Sequence, residues 1–447
     1  MSKTPSPNIY GIETEYSCML TFPSDEVYEI VGSCHSEDAK LGLYVEPEDK
    51  GMSHVSLTKV HEALEEMGIY PSDSGMLSNG GRLYVDPSGP EYCTPETTSA
   101  EEAVLRTFEG DQIVSGIFES LRKKELIKSY QLNRRIVDHN RSSRGIHLNT
   151  LTELEQSPSK EQILLLATLN VAKGALFGSG GLLVNKKGNT EYHHSPRLSL
   201  TDMVDSDYYK KRPLVRQPFK GDVDCSRIET ISGDALNFGW PLKASMIATN
   251  ALVAMIETGR ANELPSLRYT QAIDSALNVG KHGYKGRMVM LRETTESNER
   301  SIRVLTEICE TILKSDDRSL FLDTESRTTL EQIIEVADTV SRNPIFAKNN
   351  VESIARYEVL KRRMQSKGVD LNSEAICRAD YGWDLIGGGY AEVLRNRHGY
   401  GWLGFAQQPK EKATAKRLQT PPSDTRAKLR GEKIKEKIPQ GLSDNST

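Results

Sequence analysis

A short alternation of apolar and acidic residues near the start, Gly11-Ile12-Glu13-Thr14-Glu15-Tyr16, constrains the fold of this chain most. In an extended strand, side chains two apart share a face. Glu13 and Glu15 therefore point one way, with Ile12 and Thr14 behind them. Two carboxylates aimed at one spot repel unless they are protonated, bridged by a cation or swung apart into water. Hard cations such as Mg favour clustered oxygen donors. For this pair alone, a solvated strand face is the competing reading.

A second segment, Asn79-Gly80-Gly81-Arg82-Leu83-Tyr84-Val85-Asp86, carries the same period. Alternation sets Arg82, Tyr84 and Asp86 on one face, and Leu83 and Val85 on the core side. Glu91 and Glu96 follow close to a turn. In this setting Asp86 suits a general base, Arg82 a clamp for phosphate or carboxylate, and Glu91 a metal ligand. An exposed hairpin with structural ion pairs is the alternative. His147 and Asn149 repeat the spacing, as do Arg227 and Glu229, the latter followed by Gly233-Asp234 and Asn237. A lone histidine is more often structural than a ligand. The recurrence of polar same-face pairs on several strands is what points to a polar cradle for nucleotide and metal.

Familiar nucleotide loops are absent. No GxxxxGK[ST] sequence occurs. Gly178-Ser179-Gly180-Gly181 and Gly387-Gly388-Gly389 lack the strand-to-helix fingerprint, and no GxSxG elbow is present. His193-His194 reads as part of a polar loop before Pro196. The six cysteines form no CxxC pair, which argues against a zinc site or disulfide scaffold and suits a reducing cytoplasm. A formal net charge of -5 gives no global attraction to nucleic acid or anionic membrane. The opening residues lack the apolar run of a signal peptide. The most apolar stretch, Ile163 to Phe177, contains Asn170 and Lys173 and reads as a buried helix, not a membrane span.

Mixed α and β structure surrounds these segments. Residues 8–20 read as a strand, and Leu57, Val60, Leu64 and Met67 recur at helical spacing between Ser56 and Gly68. Residues 100–127, 242–257, 301–322 and 329–342 also read as helices. Residues 1–405 form the body. Residues 406–447 read as a polar, basic tail, a linker or small appendage rather than core.

The ordered set of motifs resembles the Pup ligase and depupylase family. Glu13-Thr14-Glu15 looks like the opening strand of the ligases, and Asn79 to Asp86 with Pro90-Glu91-Tyr92 and Thr94-Pro95-Glu96 like the shared second-strand motif. His147 and Asn149 match the ends of a His-Glu-Asn motif. Arg227 to Asn237 resembles a strand ending in Gly-Asp-x-Asn. Pro421 to Ala427 and Leu429 to Glu432 resemble the C-terminal motif. The resemblance implies an α+β, glutamine-synthetase-like fold in which a curved antiparallel sheet, packed with helices, cradles ATP and Mg, plus a short C-terminal appendage. It implies action on the side-chain carboxylate of the C-terminal glutamate of a small Pup-like tag. A ligase joins that carboxylate to target lysines through an acyl phosphate. A depupylase cleaves the same isopeptide bond or deamidates a C-terminal glutamine. Proteasome-pathway partners follow from the same resemblance. By position, Glu13, Glu15 and Glu91 would be metal ligands, and Asp86 the catalytic aspartate. Arg82, Tyr84, His147, Asn149 and Arg227 would line the nucleotide site.

Several positions depart from the pattern. Leu148 replaces a glutamate, and Glu229 replaces a histidine while keeping the capacity to bind metal through oxygen. Residues 216–223 lack the usual acidic and histidine stretch, and the sequence stops soon after Glu432. The opening motif favours a ligase, whereas Cys93-Thr94-Pro95-Glu96 and Pro421 to Arg426 look more like a depupylase. The long segment 36–78 could correspond to a depupylase loop. The balance of motifs tips toward the ligase. Leu148 and the short tail leave a third reading, a pseudoenzyme that binds the tag without turnover.

Overall fold

A computed structural model describes residues 9–30, 57–86, 89–134, 137, 144–152, 158–185, 187–206, 212–216, 226–292, 295–319, 322–398 and 415–436. The chain divides into two compact units. One comprises residues 11–134 with 409–447, the other residues 1–10 with 135–408.

The smaller unit is built on two sheets. Strands β1 (Tyr10–Glu15), β2 (Ser17–Thr21), β3 (Val27–Glu29), β4 (Arg82–Asp86), β5 (Gly89–Cys93) and β6 (Ser129–Asn133) alternate with helices α1 (Leu57–Glu66) and α2 (Ala100–Lys123). β5 lies between β1 and β4, antiparallel to both. β2 lies between β3 and β6, again antiparallel. The single strand expected over 8–20 is thus two strands in different sheets. The break falls at Tyr16, which is buried and donates its hydroxyl to Asp111 Oδ1 at 3.1 Å. α1 begins and ends close to the serine and glycine expected, and Gly68 takes the left-handed conformation at φ 70°. α2 packs closely on β5 because residue 110 is glycine. A Cβ there would stand 2.3 Å from the Tyr92 ring.

The larger unit holds β7 (Ile146–Thr152), β8 (Gly181–Val184), β9 (Thr190–His193), β10 (Met203–Ser206), β11 (Pro213–Arg216), β12 (Ser226–Gly233), β13 (Ser266–Leu267), β14 (Arg287–Arg292) and β15 (Thr295–Arg300). Its helices are α3 (Lys160–Lys173), α4 (Gly239–Glu257), α5 (Ala272–His282), α6 (Ser301–Ser319), α7 (Thr324–Arg342), α8 (Glu352–Lys367), α9 (Glu374–Tyr381) and α10 (Tyr390–His398). β12 pairs antiparallel with β7 and β11, whereas β10 joins β11 in parallel, so this sheet is mixed at its edge. β13, β14 and β15 form an antiparallel sheet, and β8 pairs with β9. The apolar stretch at 163–177 is the buried helix α3 and the turns after it. α7 starts five residues before the expected Thr329, because Asp323 caps it by accepting from Ser326 N. Among the described residues, no helix is long and apolar enough to cross a membrane.

The polar tail carries two helices, α11 (Ala415–Gln419) and α12 (Arg426–Lys435), which dock on their own unit through charge. Arg417 pairs with Glu102 at 2.6 Å and with Glu109. Arg430 donates to Gly80 O at 3.1 Å and to Glu96 Oε1 at 3.2 Å. Thr425 caps α12 and donates to Glu96 O at 2.7 Å. Burial pushes the Glu96 carboxyl up, and its bonds to Arg430 and Arg426 more than reverse this, leaving it below the usual range.

Candidate active site

Strand register gathers the acidic residues of the smaller unit on one face. Glu15 lies opposite Glu91, and Glu91 opposite Tyr84, so these three cross β1, β5 and β4 in a row. Glu13, Cys93 and Arg82 make the adjacent row. Directly paired residues share a face of an antiparallel sheet. Ile12, Thr14, Tyr92 and Leu83 are buried on the reverse side. Tyr92 is held there by α2 and by Asn79, whose Nδ2 donates to its hydroxyl at 3.3 Å.

Donor atoms of Glu13, Glu91 and Cys93 all lie within 4.8 Å of one another. Glu15 and Glu91 are buried, whereas Glu13 and Cys93 are half-buried. Arg82 stacks over the Tyr84 ring, 4.6 Å from its centre. Burial, then the Glu91 charge, raises the Tyr84 phenol. Burial, then Glu13 and Glu91, pushes the Cys93 thiol well up, so sulfur stays protonated beside the carboxylates. Hard divalent cations prefer oxygen donors, so Glu13 and Glu91 are the pair in this group that fits one. Cys93 was not anticipated. Its signal was its place two residues beyond Glu91 on the same strand. Asp86 ends β4 opposite Gly89, and its side chain lies outside the described residues.

The larger unit gathers a second set around Glu229. Asn149 lies opposite Glu229 in the β7–β12 pair, and Arg216 opposite it in β11–β12. Glu229 is buried and accepts from Arg216 at 3.2 Å and from Arg227 at 3.3 Å. His147 Nδ1 stands 3.3 Å from the same carboxylate. Two guanidinium groups and an imidazole thus converge on one acid. Arg216 was not singled out beforehand, since alternation along one strand carries no information about the neighbouring strand's register.

Leu148 faces the other way. It is buried and pairs with Thr230, next to Thr150, whose hydroxyl bonds to Asn250 of α4 at 2.6 Å. A hydrophobic residue at 148 therefore removes no carboxylate from the face that carries His147 and Asn149.

The remaining polar motifs are internal anchors. Asp234 accepts from Ser179 N at 3.0 Å and from Arg197 N at 2.9 Å, securing the Gly178–Gly181 segment. Asn237 donates to Glu352 and Asp384, both at 2.9 Å. Gly387 N and Gly388 N bond to Glu392. In both glycine-rich segments, backbone N–H groups are thus taken by the chain's own carboxylates. His193 ends β9, and His194 packs edge-on to Tyr192 and Tyr284. Burial, then the Lys285 charge, pushes His194 down to about 4, as expected of a structural imidazole.

The sequence matches the Pup-ligase protein family over residues 8–442. A depupylase of Acidothermus cellulolyticus is 24% identical over 454 residues, covering 95% of this chain and 86% of that protein. A Pup deamidase/depupylase of Mycobacterium tuberculosis is 24% identical over 370 residues, covering 80% and 71% respectively. Among solved structures, the complex of the prokaryotic ubiquitin-like protein Pup with its ligase PafA superposes with a TM-score of 0.72 at 19% identity, covering 96% of this chain and 83% of that one. The Pup ligase PafA in complex with ADP gives 0.69 at 20% identity, covering 87% and 86%. The likeness establishes the α+β fold.

Proposed function

This chain belongs to the Pup-ligase protein family, and from that premise we propose that it is an ATP- and Mg-dependent ligase joining a small Pup-like tag to lysines of target proteins. The observation that carries the reading is the same-face set on β1, β5 and β4, with Glu13 and Glu91 converging beside Tyr84 and Arg82. A bare cluster of acids would repel a triphosphate; with a divalent cation it becomes a seat for one.

Glu13, Glu15 and Glu91 would hold the metal, which when bound offsets phosphate charge and polarises the phosphoryl oxygens. Arg82 and Tyr84 would border the nucleotide from β4; His147, Asn149 and Arg227 are nucleotide-site candidates by the sequence resemblance alone. The ion pairs of Glu229 favour a counter-ion role, holding Arg216, Arg227 and His147 in place, over direct ligation of metal. In the first step the side-chain carboxylate of the tag's last glutamate takes the terminal phosphoryl group of ATP, leaving ADP. In the second a lysine amine attacks the acyl carbon, phosphate departs, and Asp86 takes the proton. The nucleotide in the solved ligase of the same fold supports the ATP assignment. Phosphorylation is needed because a carboxylate is a poor electrophile.

A second reading, depupylase and deamidase, is favoured by the names of the similar curated proteins. The pseudoenzyme reading loses its main motive, because Leu148 belongs to the core face. Mass spectrometry separates the three. With ATP, Mg and a tag ending in glutamate, a ligase yields ADP and a lysine-linked conjugate. A preformed conjugate that is cleaved, or a terminal glutamine that is deamidated, would replace the ligase by the depupylase. No conversion in either direction, with nucleotide bound and a cognate tag present, would leave only the pseudoenzyme.

A further inference from the structure

In the larger unit, a cavity of about 320 Å³ opens between the β14–β15 hairpin and α7, lined by residues with no part in the candidate site. Its mouth is cationic. Lys285, Arg287 and Arg300 line it, and no carboxylate does among the described residues. Buried Ile302 and Val340 form apolar wall.

The two arginines stand directly opposite each other in the β14–β15 register. Like charges in that relation destabilise an antiparallel pair. Neither guanidinium pairs with a carboxylate among the described residues. Arg287 is turned across the hairpin, donating to Asn298 O at 3.1 Å. Glu299, the nearest acid in sequence, pairs with Met288 and by alternation faces away from Arg300. The 19-residue helix α6 begins at Ser301, immediately after Arg300, and its positive end adds to the same field. A bound anion would relieve this repulsion. Three cations call for a dianion rather than a single carboxylate, and the Ile302 and Val340 wall calls for an organic group attached to it. The volume is at the lower end for small-molecule sites, which run from about 300 Å³.

We propose that this cavity binds a phosphate monoester of a small organic molecule. The test uses the full chain in phosphate-free buffer, titrated with inorganic phosphate and, separately, with phenyl phosphate. Melting temperature and calorimetry are the readouts. Both ligands should stabilise the protein, phenyl phosphate at lower concentration. The double variant Arg287→Gln/Arg300→Gln should bind either more than about tenfold more weakly, through loss of charge-assisted hydrogen bonds. Its binding of ADP with Mg should stay as in the wild type. A stronger response to inorganic phosphate than to phenyl phosphate would overturn the monoester assignment. The single variant Arg300→Gln supplies a ligand-free readout, since removing the repulsion should raise its melting temperature at low salt. Equal phosphate binding by wild type and double variant, or no binding by either at millimolar phosphate, would overturn the site.

Discussion

Tyr84 stands directly opposite Glu91 in the β4–β5 pair, and after burial the Glu91 charge raises its phenol. Strand register sets Glu91 on the face it shares with Glu13 and Glu15. Glu91→Gln nearly keeps the shape and removes the charge. We expect ATP affinity in Mg to fall at least about tenfold, the scale on which metal-site contacts act. In EDTA, wild type and variant should bind nucleotide equally poorly. Calorimetry in both buffers checks this, and undiminished wild-type affinity in EDTA would remove the metal from the reading.

Asp86→Asn tests the proposed base. Shape is nearly kept while basicity is lost, so turnover should drop by about a hundredfold or more. Nucleotide affinity should change little, because its contacts are assigned to other residues. A merely structural aspartate at the strand end would leave turnover intact and shift stability by about 0.5 kcal/mol or less. Turnover, nucleotide affinity and Tm measured on one preparation distinguish these outcomes.

Arg430→Ala should loosen the turn before β4. The residue bonds at once to Gly80 O and Glu96, and Glu96 is largely buried. A cost of about 1–3 kcal/mol follows from losing charge-assisted bonds. The Glu96 carboxyl is held below its ordinary 4.5 in the folded protein. The unfolded chain therefore binds more protons as pH falls below that value, and this contribution is lost on acidification. Urea unfolding across pH 3 to 7 (about the range in which a carboxylate titrates) should show a shallower acid loss in the variant.

Lys173 gives a slope of the same sign in a higher pH window. It is buried in α3, donates to Thr249 Oγ1 at 2.9 Å, and burial brings its amine from 10.5 down to about 7. Between those values the unfolded chain holds the proton and the folded chain does not, so stability rises with pH across that window. Lys173→Met should flatten the rise and stabilise the protein at pH 7 and below. Chemical denaturation at stepped pH tests it, and an unchanged slope would mean the amine titrates normally.

The period-2 pattern made much of the site legible. Glu13 with Glu15, and Arg82 with Tyr84, could be assigned to faces because strand alternation is geometric. Register across strands is set by tertiary packing, so neither the Glu91–Tyr84 pairing nor the Arg216–Glu229 ion pair could be read in advance. Cysteine spacing speaks to zinc and disulfides, whereas the place of Cys93 beside two acids depends on cross-strand register. The tail helices are hidden in the sequence for another reason. α12 has no broad apolar stripe, and Arg417, Thr425 and Arg430 attach the tail by charge and hydrogen bonds instead. Apolar periodicity did find α4, whose buried residues run along nearly its whole length.

The Arg430 contact with Gly80 spans 350 residues of sequence. On a ribosome making about 5–20 residues per second, the β4–β5 hairpin emerges well before the helix that fastens its turn. Strands bearing several carboxylates must therefore wait unfastened while the larger unit is synthesised. Contacts of such long separation carry a high loop-closure cost and slow folding. The acidic face of this unit is then among the last parts of the protein to become rigid, and a chain interrupted before residue 415 would carry every proposed metal ligand yet lack the tie that steadies the strand between them.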